Sequence, residues 1–250
     1  MAKSSKSART DRQKVVEQMR AQQKAAERRR GTIIVAACVL VAVGIVAAAA
    51  TGPILDHFRT AKFSSKPLSD IGSPASVCQP VTTKPADGNQ QHLADGSPVS
   101  YPDSPPAFGK HYITPDAMAR KFYTAQDRPA LGTLVHNEEH GYTILWYDDS
   151  VAKDSTKTAQ IKAIANKFAG TSDLRDKFKA VPWTSSDGSP FPNGQHIALT
   201  HWSVGGTENA AQGAAKQVGV WQYCSNVSGA ALQTFMLDYP FSDSPEPNGA

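Results

Sequence analysis

Three cysteines in 250 residues leave little room for thiol chemistry. No Cys-x-x-Cys pair occurs, so dithiol redox exchange is not expected. The chain also lacks a Gly-x-Ser-x-Gly elbow, a phosphate-binding loop and a dinucleotide fingerprint, which sets aside the common serine hydrolases, nucleotide hydrolases and nicotinamide enzymes. No internal repeat is visible. Aromatic residues are absent from the first 30 positions, and charge is absent from Gly31 to Leu55.

These two gaps define the N-terminal half of the organisation. Residues 1–30 carry ten Lys or Arg against three Asp or Glu, a net of +7, while the remainder nets −3. The overall +4 therefore describes neither region. A basic block without aromatic side chains for base stacking does not predict a nucleic-acid partner. The following stretch, Ile33 to Ala50, is Ile, Val, Leu and Ala with one Gly and one Cys. About 20 helical residues cross the roughly 30 Å hydrocarbon layer of a bilayer, and a helix apolar on every face belongs in lipid. Arg28, Arg29 and Arg30 precede it, and Asp56, His57 and Arg59 follow it. The positive-inside rule then keeps the N-terminus in the cytoplasm and sends the C-terminal region across the cell membrane, with the bilayer as its first partner. A cleaved signal peptide is the alternative, with Ala47 to Ala50 as cleavage site; the length of the apolar run favours an uncleaved anchor. Either way the rest of the chain is exported.

Cys38 falls inside the apolar run. Cys78 and Cys224 remain as a pair in the exported part, where a disulfide is expected; two free buried thiols are the alternative. Closing so long a loop would stabilise by about 4–5 kcal/mol in the chain-entropy account.

The pattern divides the chain into a basic segment (1–30), a transmembrane helix (31–55), a spacer (56–75), an extracytoplasmic domain (76–241) and a loose tail (242–250). Pro74 to Pro106 is dense in Pro, Gly, Asp and Ser and reads as loops. Thr114-Pro115-Asp116 predicts a short helix carrying Met118, Phe122 and Tyr123 on one face. Gly132–His136, Tyr142–Tyr147, Ala180–Trp183, His196–Trp202 and Val218–Cys224 predict strands. Ile161, Ile164, Ala165 and Phe168 give helical spacing over Ser155–Ala169, and Ser228–Tyr239 predicts a last helix before Pro240. The expected fold class is α+β: a small, mainly antiparallel sheet with packed helices, preceded by one transmembrane helix.

Five of the seven histidines lie between residues 111 and 201. The densest group is Val135-His136-Asn137-Glu138-Glu139-His140-Gly141, with Pro105-Pro106-Ala107-Phe108-Gly109-Lys110-His111-Tyr112 upstream. Together with a closing Trp221, a helix from Ser228 and Pro245-Glu246-Pro247, these segments resemble the DUF3105 family, domains of unknown function common in actinobacterial membrane proteins with an N-terminal anchor. The resemblance covers roughly Cys78 to Tyr239, and its specific part is His136-x-x-Glu139-His140-Gly141. The family's Pro-Pro-Thr-Ser-Gly-Pro-His loop is altered here to Ala107-Phe108 and Lys110, which leaves no hydroxyl at those two places. The resemblance implies an architecture and candidate residues, and no activity.

Convergent imidazoles and a carboxylate suit a divalent metal, zinc or copper. On a strand, His136 and His140 would stand about 13 Å apart; a helix or a tight turn brings them within reach. Gly141 fits a turn between two strands, with His111 as third ligand and Glu139 as ligand or supporting group. Two other readings stand beside it. The domain could be a structural or interaction module for an unknown envelope protein. Alternatively, the His-x-x-Glu-His spelling could mark a metal hydrolase with Glu139 as general base, a reading that needs the motif mid-helix and a further ligand such as Glu208. The flanking residues read as strand, so an enzyme is the less favoured outcome.

Overall fold

The computed structural model of the chain describes residues 3–86, 90–205 and 216–249. Its two compact units are residues 1–55 and 56–250.

The first unit is the greater part of helix α1, which runs from Lys3 to Ser64. Pro53 lies inside the helix just before the unit boundary; it lacks the N–H that would close an intrahelical bond there. The helix is long and apolar enough to cross a membrane, and the Ile, Val and Leu side chains of residues 33–46 are exposed all round.

The second unit is an α+β domain. Its sheet has the order β1-β7-β6-β4-β5, built from Thr82–Pro85, Val218–Cys224, Ile197–Ser203, Thr143–Tyr147 and Phe178–Pro182. Three of its four pairings are antiparallel; β4 and β5 are parallel. A parallel pair needs a crossover, here α3 (Asp149–Lys153) and α4 (Ser155–Lys167). Asp148 and Asp154 cap these helices by accepting from the first backbone N–H groups, a gain of about 1 kcal/mol each. A separate two-residue parallel ladder joins β2 (His92–Leu93) to β3 (His111–Tyr112).

The sheet is covered on both faces. Leu145, Tyr147, Phe178, Leu199 and Val220 meet Ile161 and Ile164 of α4 and Leu232 and Phe235 of α5 (Gly229–Asp238) in the main core, and Phe63 from the end of α1 joins them. On the opposite face Ile144, Trp146, Val181 and Ala198 pack with Leu134, and Trp202 packs with Val135. Leu134 and Val135 belong to α2 (Leu131–Glu139), the helix that carries the histidine motif.

Three expectations are corrected. Residues 132–136 form helix, not strand: burial of Leu134 and Val135 in two separate clusters outweighs a strand preference that spans only about 1 kcal/mol. Residues 114–123 form no helix, because their polar backbone is claimed elsewhere. Asn137 bonds both the N–H and the carbonyl of Asp116, Lys179 Nζ takes the carbonyls of Ala117 and Arg120, and Tyr123 N–H bonds Ala180. The tail is not loose: Asp243 and Ser244 are buried, and Lys177 Nζ donates to the carbonyls of His140, Pro247 and Gly249. The sulfurs of Cys78 and Cys224 stand at disulfide distance, 2.06 Å, across 146 residues of sequence.

Candidate metal centre

Helix α2 ends where the site begins. Gly141 N–H bonds the carbonyl of Glu138 at 2.9 Å and Tyr142 N–H that of Asn137 at 3.0 Å, the paired closure of a Schellman motif. That closure needs a left-handed residue after the cap, and Gly141 has φ +89°. A side chain there would also meet the carbonyl of Phe241 at 2.3 Å. The last helical turn then sets His136 and His140 on one face, their Nε2 atoms 3.0 Å apart, with Glu139 beside them.

The strand β3 supplies the next ring. Gly132 lets α2 lie against Tyr112, since a Cβ there would be 3.0 Å from three ring atoms. The β2–β3 register pairs His92 with His111, and their Nε2 atoms stand 3.2 Å apart. Glu139 points its carboxylate among these rings. Its Oε1 accepts from Gln90 at 2.9 Å, while its Oε2 lies 2.9 Å from His111 Nε2 and 3.8 Å from His92 Nε2.

The tautomers follow from the backbone. A carbonyl only accepts, so His111 Nδ1 donates to Gly109 at 2.8 Å and His136 Nδ1 donates to Tyr112 at 2.6 Å. In the neutral ring each Nε2 then holds a lone pair aimed into the cluster. Burial, with His140 adding to it, lowers the pKa of His136 to about 4, which keeps this ring neutral near pH 7. Glu139 is fully buried, and among the described residues no N–H is aligned with its Oε2 despite the nearness of His111. Burial pushes its pKa up, but with a proton on His111 standing in for an ion, the bond and charge of that ring, helped by Gln90 and His92, outweigh burial and hold it below the ordinary carboxylate value. Glu138, one residue away and fully buried, goes the other way: burial raises its pKa well above normal, against a bond from Thr200. The pKa values of these adjacent carboxyls are thus pushed in opposite directions.

His92, His111, His136 and Glu139 form a group that could hold a metal ion, each offering one donor atom, all within 4.8 Å of one another. With metal–nitrogen bonds near 2.0–2.1 Å, the nitrogens of a tetrahedral site stand roughly 3.3 Å apart; the 3.2 Å between His92 and His111 Nε2 is close to that. His140 falls instead into a second group with Glu139 and Glu246.

Of the residues expected from sequence, His111, His136 and Glu139 come together and His140 lies at the edge. His92, Gln90 and Glu246 were not foreseen. His196 and His201 are elsewhere: His196 Nδ1 bonds Asp148 at 2.7 Å, and the buried His201 ring faces the carbonyls of Tyr142 and Asp243. Glu208, the further ligand a hydrolase would need, lies outside the described residues. A cleft of about 460 Å³ runs past Tyr101, Phe108, Gly109 and Lys110, but none of the donor residues lines it.

A family model described as "Protein of unknown function (DUF3105)" matches residues 92–250. No curated protein and no solved structure matches the chain.

Proposed function

The chain belongs to the DUF3105 family, and from that premise we propose that it is a membrane-anchored, extracytoplasmic domain that binds one divalent transition metal, zinc or copper, through His92, His111, His136 and Glu139. The observation that carries this is the contact between His111 Nε2 and Glu139 Oε2. Two lone-pair atoms 2.9 Å apart in a buried site repel unless a cation lies between them. Imidazole nitrogens fixed by backbone carbonyls are the usual way a protein presents ligands to such an ion. The absence of thiolate from the group and the presence of three imidazoles suit zinc and copper alike. The anchor rests on the apolar helix, and the outward placement of the domain on the arginines before it and on the Cys78–Cys224 pair.

The rival cation is a proton, in which case the cluster is a buried ion pair within a structural or partner-binding envelope module. Thermal melting of the full-length protein in detergent separates the two. The metal reading expects the midpoint to fall on chelation and return with added zinc or copper, and elemental analysis to find an ion that His111→Ala and His136→Ala both lose. A midpoint indifferent to chelator, with equal metal content in wild type and variants, would leave only the proton. A hydrolase with Glu139 as base is not favoured, because a general base must reach water and substrate, and the Glu139 side chain has none of its surface exposed.

A further inference from the structure

The donors around Glu139 do not form a single shell. His92, His111 and His136 make one set with it; His140 and Glu246 make another, and the two sets share only Glu139. Opposite ligands of one six-coordinate ion, with bonds near 2.0–2.2 Å, are roughly 4.3 Å apart. Six donors serving one ion would therefore all lie within 4.8 Å of each other, and these fall into two groups instead. A carboxylate has two oxygens and can span two ions, and paired ions in proteins stand about 3.5–4 Å apart. The 3.0 Å between His136 Nε2 and His140 Nε2 places one donor of each set side by side, as ligands of neighbouring ions would be.

From this geometry we infer that the domain holds a second divalent ion beside the first, bound by His140 and Glu246 and bridged to it by Glu139. The inference rests on the metal reading above and extends it. The two positions differ in kind. The inner set is buried except for His92 at its rim, and it supplies four protein donors, the closed arrangement of a structural site. The outer set supplies three, and Glu246 is half exposed, so the outer ion keeps a side open to solvent. The C-terminal segment holds that outer ligand in place. Glu246 N–H bonds the carbonyl of Glu139 at 2.9 Å, Gly249 lies against the His140 ring, and Lys177 Nζ ties the carbonyls of His140, Pro247 and Gly249 together. Residues 240–249 thus bring a metal donor to the site.

The test is the stoichiometry of cobalt(II) bound by the metal-depleted full-length protein in detergent, with Glu246→Gln alongside. Two equivalents in the wild type and one in the variant are expected. One in the wild type overturns the second ion and leaves the first reading intact; none overturns both. Two in both proteins places the extra ion elsewhere, and two against none denies that the sets are separate; either result overturns the assignment. Should the variant fold poorly by circular dichroism, manganese(II)-loaded wild type decides by itself. At two equivalents a bridged pair gives a broadened, exchange-coupled resonance, and a spectrum of isolated six-line centres overturns the bridge.

Discussion

The apolar helix and the folded domain depart from ordinary burial in opposite directions. Along residues 33–46 of α1, Ile, Val and Leu side chains keep roughly 55–73% of their surface exposed. In the domain, His111, Glu138, Glu139, Lys177 and Lys179 keep 1% or less. An apolar helix in water and ionisable side chains in a core are each unstable unless something else is present. On the reading proposed above, hydrocarbon covers the helix, and internal partners with a bound cation hold the buried groups. The difference teaches that the two regions need different tests: the first is broken by adding polarity, the second by removing it.

The largest effect is expected at the helix. Val39→Arg with Val43→Arg places two guanidinium groups near the middle of the apolar run, at about 2.5–3.5 kcal/mol each on insertion scales. The double variant should leave the membrane pellet after alkaline extraction, or fail to export its domain. Retention in the pellet equal to wild type would mean that this helix is not the anchor.

Within the domain, His111→Ala leaves the Glu139 carboxylate buried beside a lost partner. Removing one member of a buried pair destabilises by about 3–5 kcal/mol, which is on the order of 10 °C in melting midpoint for a domain of this size. Adding Glu139→Gln to the same variant removes the stranded charge and should restore part of that loss. A double variant no better than the single one would show that His111 matters for packing alone, not for charge.

A smaller effect is expected at Lys177. Its ammonium is buried, burial lowers its pKa to about 8, and it donates to three carbonyls that tie the tail to His140. Lys177→Met keeps the length of the side chain but not the donor. The loss should be about 1.5–3 kcal/mol, the range for hydrogen bonds to a charged group, with faster proteolysis after residue 240. Unchanged proteolysis would place the tail's stability elsewhere.

The strands Thr143–Tyr147, Ile197–Ser203 and Val218–Cys224 and the helices α4 and α5 are all legible in the sequence, because their burial is one- or two-sided in the way periodicity reports. Helix α2 is not, though one signal was present. Gly141 after His140 is a helix-stop residue as much as a turn residue, and read that way it puts His136 and His140 at i, i+4. The absence of a helix at 114–123 could not be read locally, since the groups that take its backbone bonds, Asn137 and Lys179, are far along the chain. The site shows the same division. His111, His136 and Glu139 stand in dense motifs, whereas His92 reaches the cluster only through a two-residue ladder and Glu246 only through a docked tail. Neither contact has a local pattern to announce it.

The smallest effect, and the sharpest on the buried side, concerns Glu138. Its side chain is fully enclosed, accepts from Thr200, which in turn accepts from Trp146 Nε1, and carries a pKa raised well above the ordinary value by burial. Between the normal carboxylate pKa and that raised value, the folded protein holds a proton that the unfolded chain has released. The folded state then binds more protons than the unfolded state, so this group makes stability fall as pH rises across that window, by about 1.4 kcal/mol per pH unit at most. Glu139, held below its ordinary value, acts oppositely: its contribution is present above the unfolded pKa and is lost as pH falls through the folded one. Glu138→Gln keeps the shape of the neutral acid and removes the titration. Its stability near pH 5 should lie within about 1 kcal/mol of wild type, the usual span for replacing one well-matched polar group, and its decline toward pH 8 should be shallower. Denaturant midpoints measured at both pH values check this, and a decline as steep as in wild type would mean that Glu138 is ionised in the fold, so that two adjacent carboxylates, not one, would need compensating charge.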